Sequence, residues 1–379
     1  MSTDPRLSPV IVAARRTPIG TRGRALAHIP VGELAAHAIR AAVSDAEEVT
    51  GAPVTIADVL LGNCMGPGGN PGRIAALAAG LGVATPGGTV DRQCGSGLAA
   101  VMDAAAAIRA GDERPRVAGG VESPSTAPVR TDHGVAYERA PFAPAGFPDP
   151  GMTRAAEDLA SADGILRARQ DAHAARSHAR AAAALADGRF EDELVHIGDA
   201  AADDAIGGAA GVLHRLPALF PGGTLTAGTS TRIGDGAAAV VVMPARGIPG
   251  IPGLAVRSWA VAGCDPALPG LGAAPAVRTA LEDADATVSA VSAFEIVEAF
   301  ASQSLAVLDR LGIADDDPRV CADGGALALG HPWGASGAVA VVRLFSRLVR
   351  AGAPAGTLGV AAASIGGGMG VAAVFEVVR

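Results

Sequence analysis

The chain contains no lysine and only two asparagines, Asn63 and Asn70, in 379 residues. The first absence excludes a lysine Schiff base and a phosphate-loop lysine, and it leaves arginine as the permanent cation for any anionic ligand. Aromatic residues make up only 3%, and the four cysteines (Cys64, Cys94, Cys264 and Cys321) are scattered without a Cys-x-x-Cys pair. That pattern is neither a disulfide scaffold nor a metal site, and a reducing cytoplasm is the expected compartment. No apolar run approaches the length of a spanning helix. The opening residues MSTDPRLSPVIVAARRTPIG lack the basic and apolar segments of a secretory signal, and the closing FEVVR is not a peroxisomal address of the Ser-Lys-Leu type. A formal charge of −8 argues against nonspecific nucleic-acid binding and against attraction to anionic membranes.

What is present describes a folded protein. Hydrophobic residues reach 49% and charged residues 18%, too apolar for a disordered chain. The length exceeds one ordinary core, so two core-bearing units, or one duplicated unit with an insertion, are expected.

An internal echo selects the second option. Cys94 opens CGSGLAAVMDAAAAIRAG, and GHPWGASGAVAVVRLFSRLVRAG runs from Gly330 to Gly352. Each has a reactive residue, a small Gly/Ser turn and an Ala/Val-rich helix of about four turns, stopped by Arg-Ala-Gly at Gly111 or Gly352. GDGAAAVVVM (Gly234 to Met243) likewise echoes GGMGVAAVFEVV (Gly367 to Val378), each a glycine turn feeding a strand. ELAAHAIRAAVSDA before IADVLLGN echoes PAVRTALEDADATVSA before SAFEIVEAFA. A duplicated α/β unit with a mainly buried sheet follows.

Only the first copy carries the stretch from about Val121 to Ile233, which reads as an inserted subdomain. It holds a Pro/Gly-rich loop (Ala140 to Met152) and a helical segment from Arg167 to Phe190. GIPGIPG (Gly247 to Gly253) reads as the connector between copies. The expected units are a first half at 1–121 completed by 234–253, an insertion at 122–233, and a second half at 254–379.

Cys94 follows a strand-like GGTV and a polar DRQ, at the start of a glycine-led helix. Backbone N–H groups and the helix dipole there favour an anion, so a lowered thiol pKa and a nucleophilic thiolate are expected. The other three cysteines lack this setting and read as structural. His331 lies on the turn opening the equivalent helix of the second copy, and twofold pairing of the copies would bring it to Cys94. Of the eight histidines, His173 and His178 read as exposed helix positions, while His28, His37, His133, His196 and His214 lie in no motif. Glu298 and Ser364 fall at strand ends, and the glycine run after Ser364 offers unobstructed backbone amides. No Gly-x-Ser-x-Gly elbow, His-Glu-x-x-His helix, EF-hand or phosphate loop is present, and GPGGNPG does not satisfy the dinucleotide fingerprint.

With these residues in place, the sequence resembles the thiolase family over nearly its whole length. The resemblance is carried in order by VIVAARRTPIG, LLGNCMGPGGNPGRIAAL, DRQCGSGLAAV, AGGVESPSTAP, GMTRAAEDLA, RQDAHAARSHARA, TLTAGTSTRIGDGAAAVV, VEAFA, GGALALGHPWGASG and SIGGGMGVAAVFE. It implies a duplicated, five-layered α-β-α-β-α fold with an inserted loop domain that binds coenzyme A. It also implies acylation of Cys94 by an acyl-CoA thioester, activation by His331, and oxyanion holes drawn from His331 and from the amides of Cys94 and Gly366. Thr231 would contact the pantetheine arm. Met152 stands in the family's loop motif, although Gly151 precedes it where a histidine is usual. Arg176 and Arg180 on the inserted helix are the expected phosphate contacts.

Two departures bear on chemistry. Ser364 replaces the second cysteine, the family's base for carbon–carbon condensation, and Val297 replaces the asparagine that positions an oxyanion-hole water. A serine hydroxyl stays protonated at neutral pH, and loss of a general base costs about two to four decades in rate. One lost oxyanion donor is worth roughly 3 kcal/mol of barrier. The expected activity is therefore transfer of an acyl group from coenzyme A, or from an acyl carrier protein, through Cys94 to an acceptor in a specialised biosynthetic pathway. The alternatives are a slow acetyl-CoA acetyltransferase or 3-ketoacyl-CoA thiolase, and a non-catalytic partner subunit. No permanently bound cofactor is expected, coenzyme A thioester being a substrate. A homodimer or homotetramer is the expected assembly.

Overall fold

The computed structural model describes residues 7–137, 139–207 and 211–379. The first copy runs β1 (Pro9–Arg16), β2 (Gly20–Thr21), α1 (Val31–Thr50), β3 (Asp58–Gly62), α2 (Pro71–Ala78), β4 (Gly87–Val90), α3 (Ser96–Arg109) and β5 (Arg116–Glu122). The insertion supplies β6 (Arg130–Asp132), β7 (Val135–Tyr137), α4 (Met152–Ala162) and α5 (Arg167–Ala186), after which β8 (Gly234–Pro244) completes the first copy. The second copy runs β9 (Gly253–Gly263), α6 (Ala273–Asp283), β10 (Val291–Ile296), α7 (Ala301–Leu311), α8 (Ala326–Leu329), α9 (Trp333–Leu344), β11 (Leu358–Ile365) and β12 (Met369–Val378).

Local chemistry accounts for these bounds. In α1, Leu34, Ala35, Ala38, Ile39, Ala42, Val43 and Ala46 recur at three- and four-residue spacing and are all buried. Gly51 ends it in the left-handed region at φ 66°, its amide donating to Glu48 O. The echoed helices end as expected. Gly111 follows α3 at φ 105°, and Gly352 follows α9 and its π-helical continuation Phe345–Arg350 at φ 76°.

The duplication is visible strand by strand. In the first half β3 pairs parallel with β5, β5 antiparallel with β8, and β8 antiparallel with β1. The second half repeats this as β10 with β11, β11 with β12, and β12 with β9. The halves join edge to edge through Val10 opposite Ala255 and Ile11 opposite Leu254. β4 is an addition at the first half's outer edge.

Helices α3 and α9 lie between the two halves, α3 touching β3, β5 and β8 on one side and β12 and β9 on the other, α9 touching β5, β8, β10 and β11. Helices α1 and α2 cover the outer face of the first half, and α6 with α7 covers the second. This is the expected five-layer order. The inner pair can pack backbone to backbone because of glycine: a Cβ at Gly97 would lie 2.9 Å from Gly334 O and from Ala338 N, and one at Gly337 would lie 2.6 Å from Leu98 N. Any side chain at these positions would push the helices apart.

In the insertion, the Pro/Gly-rich stretch is loop and α5 is helical as expected, but the polar face of α5 is turned inward. His173 and His178 are each 4% exposed, which corrects their reading as surface positions. Polar groups accompany part of this face: His173 Nε2 lies 3.2 Å from Glu298 Oε1, and Ser177 Oγ donates to Glu298 Oε2 at 2.7 Å. The insertion is also tied to the inner layer by ions. Arg16 donates from Nε to Glu193 at 2.7 Å and from Nη1 to Asp203 at 2.7 Å, and Arg343 of α9 reaches Glu193 and Asp323.

Candidate active site

Cys94 lies in a tight turn that the sequence staples at both ends. Gln93 takes the left-handed conformation at φ 46°, uncommon for a residue with a side chain. Asp91 Oδ1 accepts from its backbone N at 3.0 Å, and the Ser96 hydroxyl donates to Gln93 O at 2.6 Å while accepting from Arg92 N at 2.7 Å. Gln93–Gly95 forms one turn of 3-10 helix, and α3 begins at Ser96.

His331 enters from the second copy, after Gly330 at φ 104°. Its amide donates to Arg232 O at 2.8 Å, which fixes the backbone on the strand side. Its Nε2 lies 3.2 Å from Cys94 Sγ, so the two helix starts meet as the duplication implied. The other ring nitrogen, Nδ1, is 2.6 Å from Ser336 Oγ, and that hydroxyl donates to Pro332 O at 3.2 Å. With its proton on Pro332 O, Ser336 accepts from Nδ1–H, and the lone pair of Nε2 faces the Cys94 thiol. The sequence reading missed Ser336; its position five residues after His331, one turn into α9, was the available signal.

The pair is neutral at rest. Burial pushes the Cys94 thiol up to about 12, with its own backbone amide lowering it and the Glu122 and Asp91 carboxylates raising it further. Burial lowers His331 to about 4. The helix start alone therefore does not produce a resting thiolate, which corrects the expectation of a lowered thiol pKa: desolvation of the anion outweighs the aligned amides. What sets Cys94 apart is the imidazole beside it. Cys64 Sγ contacts Ser96 Oγ at 3.6 Å, Cys264 Sγ contacts Leu268 O at 3.9 Å and Cys321 Sγ contacts Ile296 O at 3.5 Å. Burial raises all three of these thiols.

Glu122, at the end of β5, was also missed. Its fully buried carboxylate accepts from Asn63 Nδ2 at 2.9 Å, from the amides of Cys64 and Met65 at 3.1 and 3.0 Å, and from Gly334 N at 2.9 Å. It thereby ties the start of α9 to the loop after β3. Burial pushes it up to about 7, against the pull of those donors. An acidic residue ending an otherwise apolar strand, in GGVES, was the sequence signal.

Ser364 lies on β11, but its hydroxyl is spent on backbone: it donates to Gly270 O at 2.7 Å and accepts from Ala273 N at 3.1 Å, at the start of α6. The next side chain, Ile365, packs on Gly95, where a Cβ would come within 2.5 Å of Ile365 Cδ1. This contact brings the Gly366 turn alongside the Cys94 turn. Val297 is 6% exposed and, with Ser336, Cys321 and Arg343, lines a cavity of about 30 Å³. That volume suits a single water, and Val297 offers it no hydrogen bond.

The remaining candidates are placed less centrally. Thr231 clamps the turn before His331, its N donating to Ala299 O at 3.0 Å and its hydroxyl to Ala326 O. Met152 opens α4, half-buried. Arg176 donates to Asp315 O at 2.8 Å, and Arg180 donates to the carbonyls of Val320, Asp316 and Asp317. Both guanidinium groups thus join the insertion to the loop after α7. Among the described residues, no group of three or more His, Cys, Asp or Glu is placed to hold a metal ion.

A duplicated α/β fold with a thiol–imidazole pair at the seam of its two halves defines a class, and comparison with known proteins gives the family. The model of the thiolase N-terminal domain matches residues 9–246, and that of the thiolase C-terminal domain matches residues 252–377. An acetyl-CoA acetyltransferase of Chromobacterium violaceum is 41% identical, with 97% of this chain and 98% of that protein aligned. A 3-ketoacyl-CoA thiolase of Erwinia tasmaniensis is 39% identical over 97% of this chain and 98% of its own length. The crystal structure of the Bacillus anthracis acetyl-CoA acetyltransferase superposes with a TM-score of 0.87 at 34% identity, covering 98% of this chain and 99% of that one. The chain belongs to the thiolase family. Like the acyltransferases of that family, it is an enzyme of acyl transfer.

Proposed function

We propose that the protein takes an acyl group from coenzyme A onto Cys94 and hands it to an acceptor other than a standard acyl-CoA enolate, within a specialised biosynthetic pathway. The observation that carries the first step is the 3.2 Å contact between Cys94 Sγ and His331 Nε2, with Ser336 holding the opposite ring nitrogen. As Sγ attacks the thioester carbonyl, its proton passes to Nε2; collapse of the tetrahedral intermediate breaks the carbon–sulfur bond to coenzyme A, whose thiolate takes the proton from the imidazolium. The acceptor then attacks the acyl–Cys94 thioester as its proton passes to His331 Nε2, the carbon–sulfur bond to Cys94 breaks, and the released thiolate takes that proton back from the imidazolium. The Gly366 amide serves as an oxyanion donor. No helix of the described residues is long and apolar enough to cross a membrane.

The choice of acceptor rests on Ser364 and Val297. A hydroxyl already engaged with Gly270 O and Ala273 N is not poised to remove an α-proton. A second reading, acetyl-CoA C-acetylation itself, is favoured by the activities for which the aligned relatives are named. The proposed assembly is a homodimer or a tetramer built from it, in the cytoplasm. An acyl carrier protein remains the alternative donor.

The test is intact-mass measurement after mixing with acetyl-CoA, followed by a chase. Acylation of the parent and its absence in Cys94→Ala supports the covalent step. Persistence of that acyl-enzyme when excess acetyl-CoA is added supports a different acceptor, whereas release of acetoacetyl-CoA establishes the second reading. No acylation from any acyl-CoA or carrier-protein thioester would remove both.

A further inference from the structure

The loop between β7 and α4 reaches the glycine turn beside Cys94. The edge of the Phe142 ring rests on Gly366, so closely that a Cβ there would lie 2.6 Å from Cε2 and 2.8 Å from Cδ2. At Gly367 a Cβ would lie 3.0 Å from Phe142 O. The turn contributes no side chain at positions 366–368, and the Phe142 ring packs directly on its backbone. Ile365, immediately before the turn, packs on Gly95. Ile365 and Gly366 therefore stand between the ring and the Cys94 turn.

The ring is held in place from behind. Arg139 donates from Nη1 to Asp149 Oδ1 at 2.6 Å and from Nη2 to Asp149 O at 3.1 Å, closing the loop on itself. Asp149 Oδ2 accepts from Phe142 N at 3.2 Å, and the Arg139 guanidinium lies 4.7 Å from the centre of the Phe142 ring. Such a clasp fixes both the backbone and the face of the aromatic group, which a loop rich in proline and glycine would not do unaided. A half-buried aromatic ring clamped over side-chain-free backbone, on the glycine turn that follows Ile365, is suited to contact an apolar chain.

We propose that Phe142, positioned by the Arg139–Asp149 clasp, is the wall that limits the length of the acyl chain carried on Cys94, so that the enzyme selects short acyl groups. The proposal rests on the reading of Cys94 as the acyl carrier. It assigns specificity to a loop residue, separately from the thiol–imidazole pair that performs the transfer. Each methylene that fails to fit an apolar pocket costs about tenfold or more in selectivity.

The experiment measures initial rates of Cys94 acylation by intact mass with acetyl-, butyryl-, hexanoyl- and octanoyl-CoA. It compares the parent with Phe142→Ala, Phe142→Leu and Asp149→Ala. The parent should favour acetyl or butyryl over octanoyl by at least about a hundredfold, and Phe142→Ala should raise the octanoyl-to-acetyl ratio by about tenfold or more. Phe142→Leu, which keeps apolar bulk and guards against a folding defect, should shift the ratio less. Asp149→Ala should shift it in the same direction with the ring still present. Acylation whose chain-length ratio is the same in all four proteins would overturn the role of Phe142 while leaving the carrier reading intact. Failure of every acyl-CoA to label the parent would instead overturn the carrier reading, and this proposal with it.

Discussion

Cys94 Sγ and His331 Nε2 lie 3.2 Å apart although 237 positions separate them in the chain. Each comes from the start of an inner-layer helix, one per copy, and the glycine contacts between α3 and α9 hold those starts together. The distance permits direct proton transfer without an intervening water.

The first prediction concerns that pair. With substoichiometric iodoacetamide at neutral pH, peptide mapping should find Cys94 labelled ahead of Cys64, Cys264 and Cys321. His331→Ala should slow the labelling by about two decades or more, the worth of a general base. Ser336→Ala should slow it by about tenfold, the worth of one buried hydrogen bond that fixes a tautomer. Preferential labelling of another cysteine would remove Cys94 from its role, and an unchanged rate in Ser336→Ala would show that the tautomer is set otherwise.

Acidity should affect chemistry and stability differently. The thiolate–imidazolium form carries the same number of protons as the neutral pair, so alkylation should be nearly flat through neutral pH and fall as His331 protonates toward about 4. In the unfolded chain His331 takes up its proton near 6.5, above its folded value of about 4. The unfolded state then binds more protons in that window, so stability is lost as pH falls through it, by up to about 3 kcal/mol. Glu122 acts in the opposite sense. Its folded value of about 7 exceeds the model 4.5, so its contribution is full below that lower value and is lost as pH rises through 7. Denaturant unfolding of the parent and His331→Ala between pH 4 and 7 should show the parent losing more stability on acidification; parallel curves would place the His331 pKa elsewhere.

If carbon–carbon chemistry is limited by Ser364 and Val297, then Ser364→Cys combined with Val297→Asn should raise acetoacetyl-CoA thiolysis by about two decades, without a matching rise in Cys94 acylation. Each single change should do less than the pair, since both serve one transition state. Ser364→Cys also weakens the backbone contacts at the start of α6, and a loss of about 1 kcal/mol in unfolding free energy should accompany it. A parent that already turns over acetoacetyl-CoA at about ten per second, an ordinary enzyme rate, would make Ser364 a working base.

Arg176 and Arg180 hold the insertion to the loop after α7. Since they donate to the carbonyls of Asp315, Asp316, Asp317 and Val320, replacing both by alanine should lower the unfolding free energy by about 2 kcal/mol. The salt dependence of coenzyme A binding should change little. A flattened salt dependence at unchanged stability would return them to the phosphate site.

Much of this architecture was legible because the duplication repeats local signals. A glycine stop after an Ala/Val helix marks α3 and α9 alike, and the reactive residues precede both. The pairings of β1 and β9, which weld the halves, were not legible, since an apolar run does not name its neighbour. Helix α5 was misread on its histidines because its buried face is Gln170, His173, Ser177 and His178, a polar surface met by Glu298, Thr224 and the Gly325 amide from elsewhere in the chain. The thiol pKa was misjudged for a related reason. A helix start is written in the sequence around Cys94, but the depth at which the fold buries it is a property of both halves together.

The matching strand order of the two halves has a consequence for how such a protein divides its labour. Corresponding positions in the copies differ, one carrying a sulfur and the other an imidazole, so each copy supplies one member of the pair. A single copy released from its twin would hold a thiol without an imidazole, or an imidazole without a thiol. The pair belongs to the seam, and a misassembled chain would hold both residues without the 3.2 Å contact between them.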